Sequence, residues 1–257
     1  AAIWLASISN NAGANNNTIK NCIISAGSNT FNSKFGIFVG GQALNLSGGD
    51  NDSITIDNCQ ITRAYYGIYI SGTISAISTA DIITNNTIGS ALATDAIGAV
   101  GCSFYQTTNL TLTGNEIFGL YGFGPYSGFE IGQGVANSII ERNKIHDIQA
   151  TNSTRASGIY ITSNANASLT FSNNMIWHVL NNGTVDFTNA ATGFHVQSGG
   201  GQSFYFNSVN LFGNRDTVGA NKPDAPSAGI YIVSTASNII MKRSEEHTSE
   251  LQSPYVI

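Results

Sequence analysis

The sequence predicts an all-β solenoid of short parallel strands. Three observations predict it: a six-residue motif that recurs along the chain, a four-residue motif lying between its copies, and the absence of helical periodicity anywhere in the 257 residues. The six-residue motif has an apolar first and last position with Asn or Cys fourth. It occurs at Ile19 to Ile24, Ile56 to Ile61, Ile83 to Ile88, Leu112 to Ile117, Ile140 to Ile145, Phe171 to Ile176 and Phe206 to Leu211, and an eighth copy starts at Met241-Lys242. Its fourth position holds Cys22, Cys59, Asn86, Asn115, Asn143, Asn174 and Val209 in turn.

The four-residue motif is a small residue, an apolar residue, an aromatic and an apolar residue. It reads Gly36-Ile37-Phe38-Val39, Gly67-Ile68-Tyr69-Ile70, Gly158-Ile159-Tyr160-Ile161, Gly193-Phe194-His195-Val196 and Gly229-Ile230-Tyr231-Ile232. Ala2-Ile3-Trp4-Leu5 and Gly128-Phe129-Glu130-Ile131 fit it loosely, and the copy near Ile97 fits poorly. Each repeat of about 27 to 37 residues therefore offers two short alternating strands. Strands that short bury an apolar face only by stacking on the equivalent strand of the next repeat, and strand twist winds such a stack to the right. The expectation is a right-handed single-stranded parallel β-helix over residues 1–242, of about seven to eight coils, truncated at both ends.

Composition bounds the function. Charged residues are 10% of the chain and the net charge is −5 with no Lys/Arg cluster, which argues against nucleic acid as a partner. No run of ~18 apolar residues exists, so no membrane insertion by a helix is expected. The apolar fraction of 42% is ample for a continuous core. The three cysteines, Cys22, Cys59 and Cys102, match neither a disulfide scaffold nor a zinc site, and Cys22 and Cys59 are expected as stacked free thiols in the core. No cofactor or metal is called for. The single calcium-like hint is Gly48-Gly49-Asp50-Asn51-Asp52-Ser53-Ile54, and such sites work as stacked arrays rather than one copy. The chain starts in a strand-like run without an initiator Met, as an internal fragment does.

From Arg243 the pattern breaks. Arg243 to Ser253 resembles the in-frame translation of a common sequencing adapter, so residues 243–257 are expected to be a non-native, disordered tail.

Across residues 1–242 the two motifs resemble the parallel β-helix repeats of the pectate-lyase-like superfamily, and more closely the long Asn-rich β-helix proteins that bacteria secrete or display. That resemblance implies an extracellular location, and as function a non-catalytic, adhesin-like or polysaccharide-contacting segment. The alternatives are a fragment of a polysaccharide lyase or glycoside hydrolase, or a structural spacer. Lyases of this kind carry an acidic calcium cluster. The related hydrolases carry Asn-Thr-Asp, Asp-Asp, Gly-His-Gly and Arg-Ile-Lys motifs, and this sequence has none of these features.

In-register stacking converts sequence positions into surface columns. The centre of the four-residue motif gives Trp4, Phe38, Tyr69, Tyr160, His195 and Tyr231, and the residue after the six-residue motif gives Phe118, His146, Trp177 and Phe212. Outward rings in such columns form a platform for the apolar faces of sugars, or else lie covered by loops. The long connectors after Ile117, Ile145, Ile176 and Leu211 gather at one vertex, the last running through Asn214-Arg215-Asp216 to Lys222-Pro223-Asp224. Titratable groups are densest where Glu116 neighbours Lys144, His146 neighbours Trp177 and Asp147 neighbours His178. That patch fits acid–base work or, more simply, cross-strand pairing on a solvated sheet.

Overall fold

The computed structural model describes residues 1–122, 126–150, 154–181, 189–212 and 226–242, together with the backbone of 245–248. The chain is a right-handed parallel β-helix of about six turns, and no α-helix occurs among the described residues. Counting motif copies includes the incomplete turns at either end, which is why the sequence suggests seven to eight.

Each turn contributes three strands rather than two. The first wall is an eight-stranded sheet that includes Thr18–Lys20, Thr55–Asp57, Thr111–Thr113 and Leu169–Ser172. The second wall includes Ile23–Ser25, Glu116–Gly122, Lys144–Ala150 and Met175–Asn181. The third includes Phe35–Gly40, Ala64–Ser71, Ile97–Tyr105, Tyr126–Ile131, Ala156–Thr162 and Ala191–Gly200, and it runs together with the second as a 17-stranded sheet. The six-residue motif is thus two strands with a corner between them. The corner is made by the residue just before the fourth position, which is left-handed in every copy: Asn21, Asn58, Asn85, Gly114, Arg142, Asn173 and Phe206 have φ between 53° and 67°.

The ladder residue that follows each corner points inward and is buried, except Cys22 in the first coil, which is half-buried. Asn86 donates from Nδ2 to Asn115 Oδ1 at 3.0 Å and to the Ile56 carbonyl at 2.9 Å, while its Oδ1 accepts the Cys59 N–H at 2.9 Å. The same three bonds recur through Asn115, Asn143 and Asn174 to Asn207. Asn207 corrects the sequence alignment. The seventh copy runs from Phe204 to Val209, two residues earlier than expected, because Phe204 pairs with Phe171 and Val209 with Ile176. Val209 is therefore a core residue and the ladder is five amides long.

Behind the ladder, inward columns fill the interior. One runs Ile24, Ile61, Ile88, Ile117, Ile145, Ile176, Val209. Each of these is at most 5% exposed, and burying one such side chain contributes about 1.5–3 kcal/mol. The small residue that opens the four-residue motif is explained by close approach: a Cβ on Gly128 would stand 2.4 Å from Ile145 Cγ2 and 2.7 Å from the Gly158 carbonyl oxygen. The copy judged poor near Ile97 is Gly101-Cys102-Ser103-Phe104, with Cys102 in the inward Ile position.

The backbone of Glu245–Thr248 runs parallel beside Ser208–Leu211, although these four residues carry no β pattern. An open sheet edge offers backbone groups regardless of side chain, so strand pairing there needs no apolar alternation. The rest of 243–257 lies outside the described residues.

Candidate functional site: the outer face of the third wall

The central column of the third wall is not continuously aromatic. Register runs Trp4, Phe38, Tyr69, Ser103, Glu130, Tyr160, His195, Tyr231. Phe38 and His195 are fully buried, so neither offers a ring face to solvent. Trp4 is 41% exposed, and Tyr69, Tyr160 and Tyr231 are half-buried. The expected uniform platform is therefore two aromatic stretches separated by a polar pair.

That pair gathers the densest chemistry on this wall. Glu130 Oε2 accepts from Ser103 Oγ at 3.1 Å, and Tyr105 also hydrogen-bonds to the carboxylate. Burial, reinforced by the Glu130 charge, pushes the Tyr105 phenol well above its ordinary value, and the same two causes raise Tyr66 to about 12. These hydroxyls stay protonated. Above Glu130, the Arg155 guanidinium lies 3.2 Å from the centre of the Tyr160 ring, a cation–π contact. Its Nη2 reaches Ser127 Oγ at 3.5 Å, and its buried Nε has no hydrogen-bond partner. No carboxylate lies within ion-pair distance of Arg155 among the described residues.

His195 continues the cluster, edge-on to both Tyr160 and Tyr231 at 5.2 and 4.9 Å between ring centres. Burial, with the Arg155 charge adding to it and the Gln197 hydrogen bond opposing it, brings this imidazole down to about 4. It is neutral at pH 7, bonded through Nε2 to Gln197 Oε1 at 3.0 Å, with Nδ1 unpartnered. A groove of about 510 Å³ opens beside the cluster between Tyr69, Tyr105, Thr73 and Gln133. Sequence reasoning missed Ser103, Tyr105, Glu130 and Arg155. Glu130 was visible as the centre of a loosely fitting motif copy, and an aromatic criterion passed over it.

The second wall brings together the other expected patch. Phe118, His146 and Trp177 form one column with near-parallel rings, 5.2 and 4.1 Å between successive centres. Asn210, not Phe212, continues it; Phe212 stacks on His178 at 5.1 Å. Asp147 Oδ2 bonds His146 Nδ1 at 2.7 Å, and Asp147 Oδ1 bonds His178 Nδ1, so one carboxylate holds two imidazoles. Burial opposes ionisation of Asp147, but the hydrogen bonds and charges of His178 and His146 outweigh it and hold the carboxyl below its ordinary value. Glu116 and Lys144 are register neighbours, yet Glu116 reaches His146 Nε2 at 3.4 Å instead of pairing with the lysine. The patch thus assembles as a side-chain network on a solvated wall.

The side chains of the calcium-like turn are taken up by backbone N–H groups of the coils on either side. Asp50 Oδ2 accepts from Gly13 N, Asn51 Oδ1 from Ala14 N and Asp52 Oδ1 from Thr79 N. No cluster of three or more potential ligands is found among the described residues. The connectors expected to gather at one vertex, including the charged loop after Leu211, lie mostly outside the described residues. No helix among the described residues is long and apolar enough to cross a membrane.

Comparison with solved structures finds chains similar to this one. A mutant of DFA-IIIase from Arthrobacter chlorophenolicus A6, in complex with DFA-III, is 17% identical with a TM-score of 0.50; the match covers 86% of this chain and 51% of that one. The surface protein and adhesin PfbA of Streptococcus pneumoniae is 14% identical over 91% of this chain and 66% of its own, with a TM-score of 0.46. A periplasmic alginate epimerase, AlgG, is 16% identical over 90% and 69%, with a TM-score of 0.28. The chain spans about half the length of the DFA-IIIase. Among curated proteins no sequence matches it. The family described as "Right handed beta helix region" matches residues 8–189, and with the three-walled coil this establishes that the chain belongs to the right-handed β-helix family.

Proposed function

We propose that this chain is a polysaccharide-contacting segment of a secreted or surface-displayed β-helix protein, and that it grips saccharide along the third wall. The observation that carries this reading is the convergence of half-buried tyrosines with Glu130 and with an arginine that has no carboxylate within ion-pair distance among the described residues, beside an open groove. Tyrosine rings cover the apolar faces of sugar rings at small entropic cost, while a carboxylate and a guanidinium take paired hydroxyls. The free valence of Arg155 favours a saccharide bearing carboxylate or sulfate groups. Phe118, Trp177 and Phe212 on the second wall supply a separate ring surface for the same polymer.

A glycan array tests the reading. Binding is expected, and Tyr160→Ala combined with Tyr231→Ala should weaken it at least about tenfold while the chain stays folded. No binding to any glycan at millimolar concentration would overturn it and leave the spacer reading. The enzymatic alternative is favoured by one feature, the placement of Glu130 between donors. It requires release of unsaturated or reducing sugars, and that release should fall on Glu130→Gln, and on His146→Ala if the second-wall patch does the work.

A further inference from the structure

The ladder stops where asparagine gives way to cysteine, and that end of the column carries a different chemistry. Cys22 and Cys59 occupy the ladder position in adjacent coils. Lys20 pairs with Asp57 before them and Ile23 with Gln60 after them, and the Gln60 N–H donates to the Cys22 carbonyl at 2.9 Å. Register therefore places the two cysteines directly one above the other. Parallel neighbours stand about 4.7–4.9 Å apart, inside the Cα window of roughly 4.4–6.8 Å that a disulfide spans. In-register positions put both side chains on the same side of the wall, close enough for Cys22 to add to burial, the main cause, in raising the pKa of the Cys59 thiol.

Neither sulfur replaces the amide bonds of the ladder. The Cys59 N–H is taken by Asn86 Oδ1, but where the next coil should offer Cys22 an amide oxygen it offers a thiol, a weak acceptor. Their S–H groups make only long contacts to carbonyls: Cys22 to Lys20 O at 3.3 Å, Cys59 to Asp57 O at 3.4 Å and to Ile19 O at 3.7 Å. Cys22 is half-buried and Cys59 is 2% exposed, so one thiol is reachable and the other lies directly behind it.

We infer that Cys22 and Cys59 are a modification site at which thiol–disulfide exchange with an external disulfide forms a covalent rung between the first two coils. The reachable Cys22 thiolate attacks one sulfur of the external disulfide and expels one thiolate, giving a mixed disulfide. The Cys59 thiolate then attacks the Cys22 sulfur and expels the second. Two electrons pass from the cysteine pair to the external disulfide, and the two protons leave with two molecules of thiol. The inference is independent of the saccharide reading.

The experiment is treatment of the purified, folded chain with oxidised glutathione. The intact mass should fall by two hydrogens, thiols counted after denaturation should fall from three to one, and non-reducing peptide mapping should join Cys22 to Cys59. Cys102→Ser should form the rung unchanged, because Cys102 faces Ile68 and Phe129 across its wall and has no thiol neighbour. Three persistent thiols would overturn the inference. So would a stable glutathione adduct on Cys22 as the end product, or a dimer joined through Cys22. Mapping of the wild-type chain decides the matter without any substitution at Cys22 or Cys59.

Discussion

The corner ladder and the central column of the third wall are both stacks of side chains at one repeat position, and they are built on opposite terms. In the ladder, five asparagines repeat one hydrogen-bond pattern with almost no variation, and every polar atom that points inward is used. In the column the residue changes at nearly every coil, and two neighbouring groups, Arg155 Nε and His195 Nδ1, are buried without partners. A repeated amide is a solution to stability, since an inward corner with unsatisfied backbone N–H groups costs about 1–3 kcal/mol each. A heterogeneous, incompletely satisfied column does not repeat that solution, and it is this column that the proposed saccharide contact uses.

The sharpest way to break this contrast is to remove one rung. Asn143→Leu strands the Asn115 N–H and the Asn115 side-chain amide in the core, both of which donate to Asn143 Oδ1 at 3.0 Å. The expected loss is roughly 3 kcal/mol or more, measured as a lower urea midpoint. A change below about 0.5 kcal/mol would mean that the ladder is decorative.

A second test uses Asp81, a carboxylate on the first wall set between Ile54 and Leu110 in the inward column. It is fully buried, accepts the Ile54 N–H at 2.9 Å and bonds Ser78 Oγ at 3.1 Å. Burial, only partly offset by those bonds, raises its carboxyl to about 7. Folded Asp81 therefore holds a proton that the unfolded chain releases near pH 4. Stability should fall as pH rises from about 4 to about 7 and level off above, by about 2–4 kcal/mol in total. Asp81→Asn should remove that component, so its melting temperature at pH 8 should exceed that of the wild type. An unchanged pH profile would show that the ladder is not the interior's main polar constraint.

The smallest effect is expected on the second wall. Asp147 is 34% exposed, so Asp147→Asn should cost under about 1 kcal/mol at pH 7, read as a small change in the urea midpoint. A larger loss of stability would move this network from the solvated surface into the structural class of the ladder.

What was legible in the sequence follows the same division. The fold, the Ile columns and four of the five ladder asparagines could be read because identical neighbours enforce a period. Asn207 was missed because Phe204 and Phe206 both satisfy the apolar opening of the motif, and only pairing with Phe171 decides between them. The third strand per coil was hidden because its three residues sit inside a motif that looked like one strand. Glu130 sits at a motif centre but breaks its aromatic pattern, and Arg155 carries no periodic signal; the neighbours of both are assigned by winding rather than by spacing. The burial of Phe38 and His195 was equally invisible, since alternation marks a residue as outward from the core without saying what lies over it.

The ladder also bears on how the molecule takes force. Its bonds and those of all three walls lie along the coil axis, so a pull on the two ends loads successive gaps between coils in series, with the bonds inside any one gap sharing the load. Such an array yields at its weakest gap, whatever the strength of the others. From the coil of Cys59 to that of Asn207 each gap carries buried amide bonds at the ladder position, whereas in the gap between Cys22 and Cys59 that position holds sulfur, and the side-chain bonds there are the exposed Asn58–Asn21 amide pair and the Lys20–Asp57 ion pair. A covalent rung between the two sulfur atoms would therefore take that gap out of the series and pass the first extension event to the amide-bonded turns beyond it.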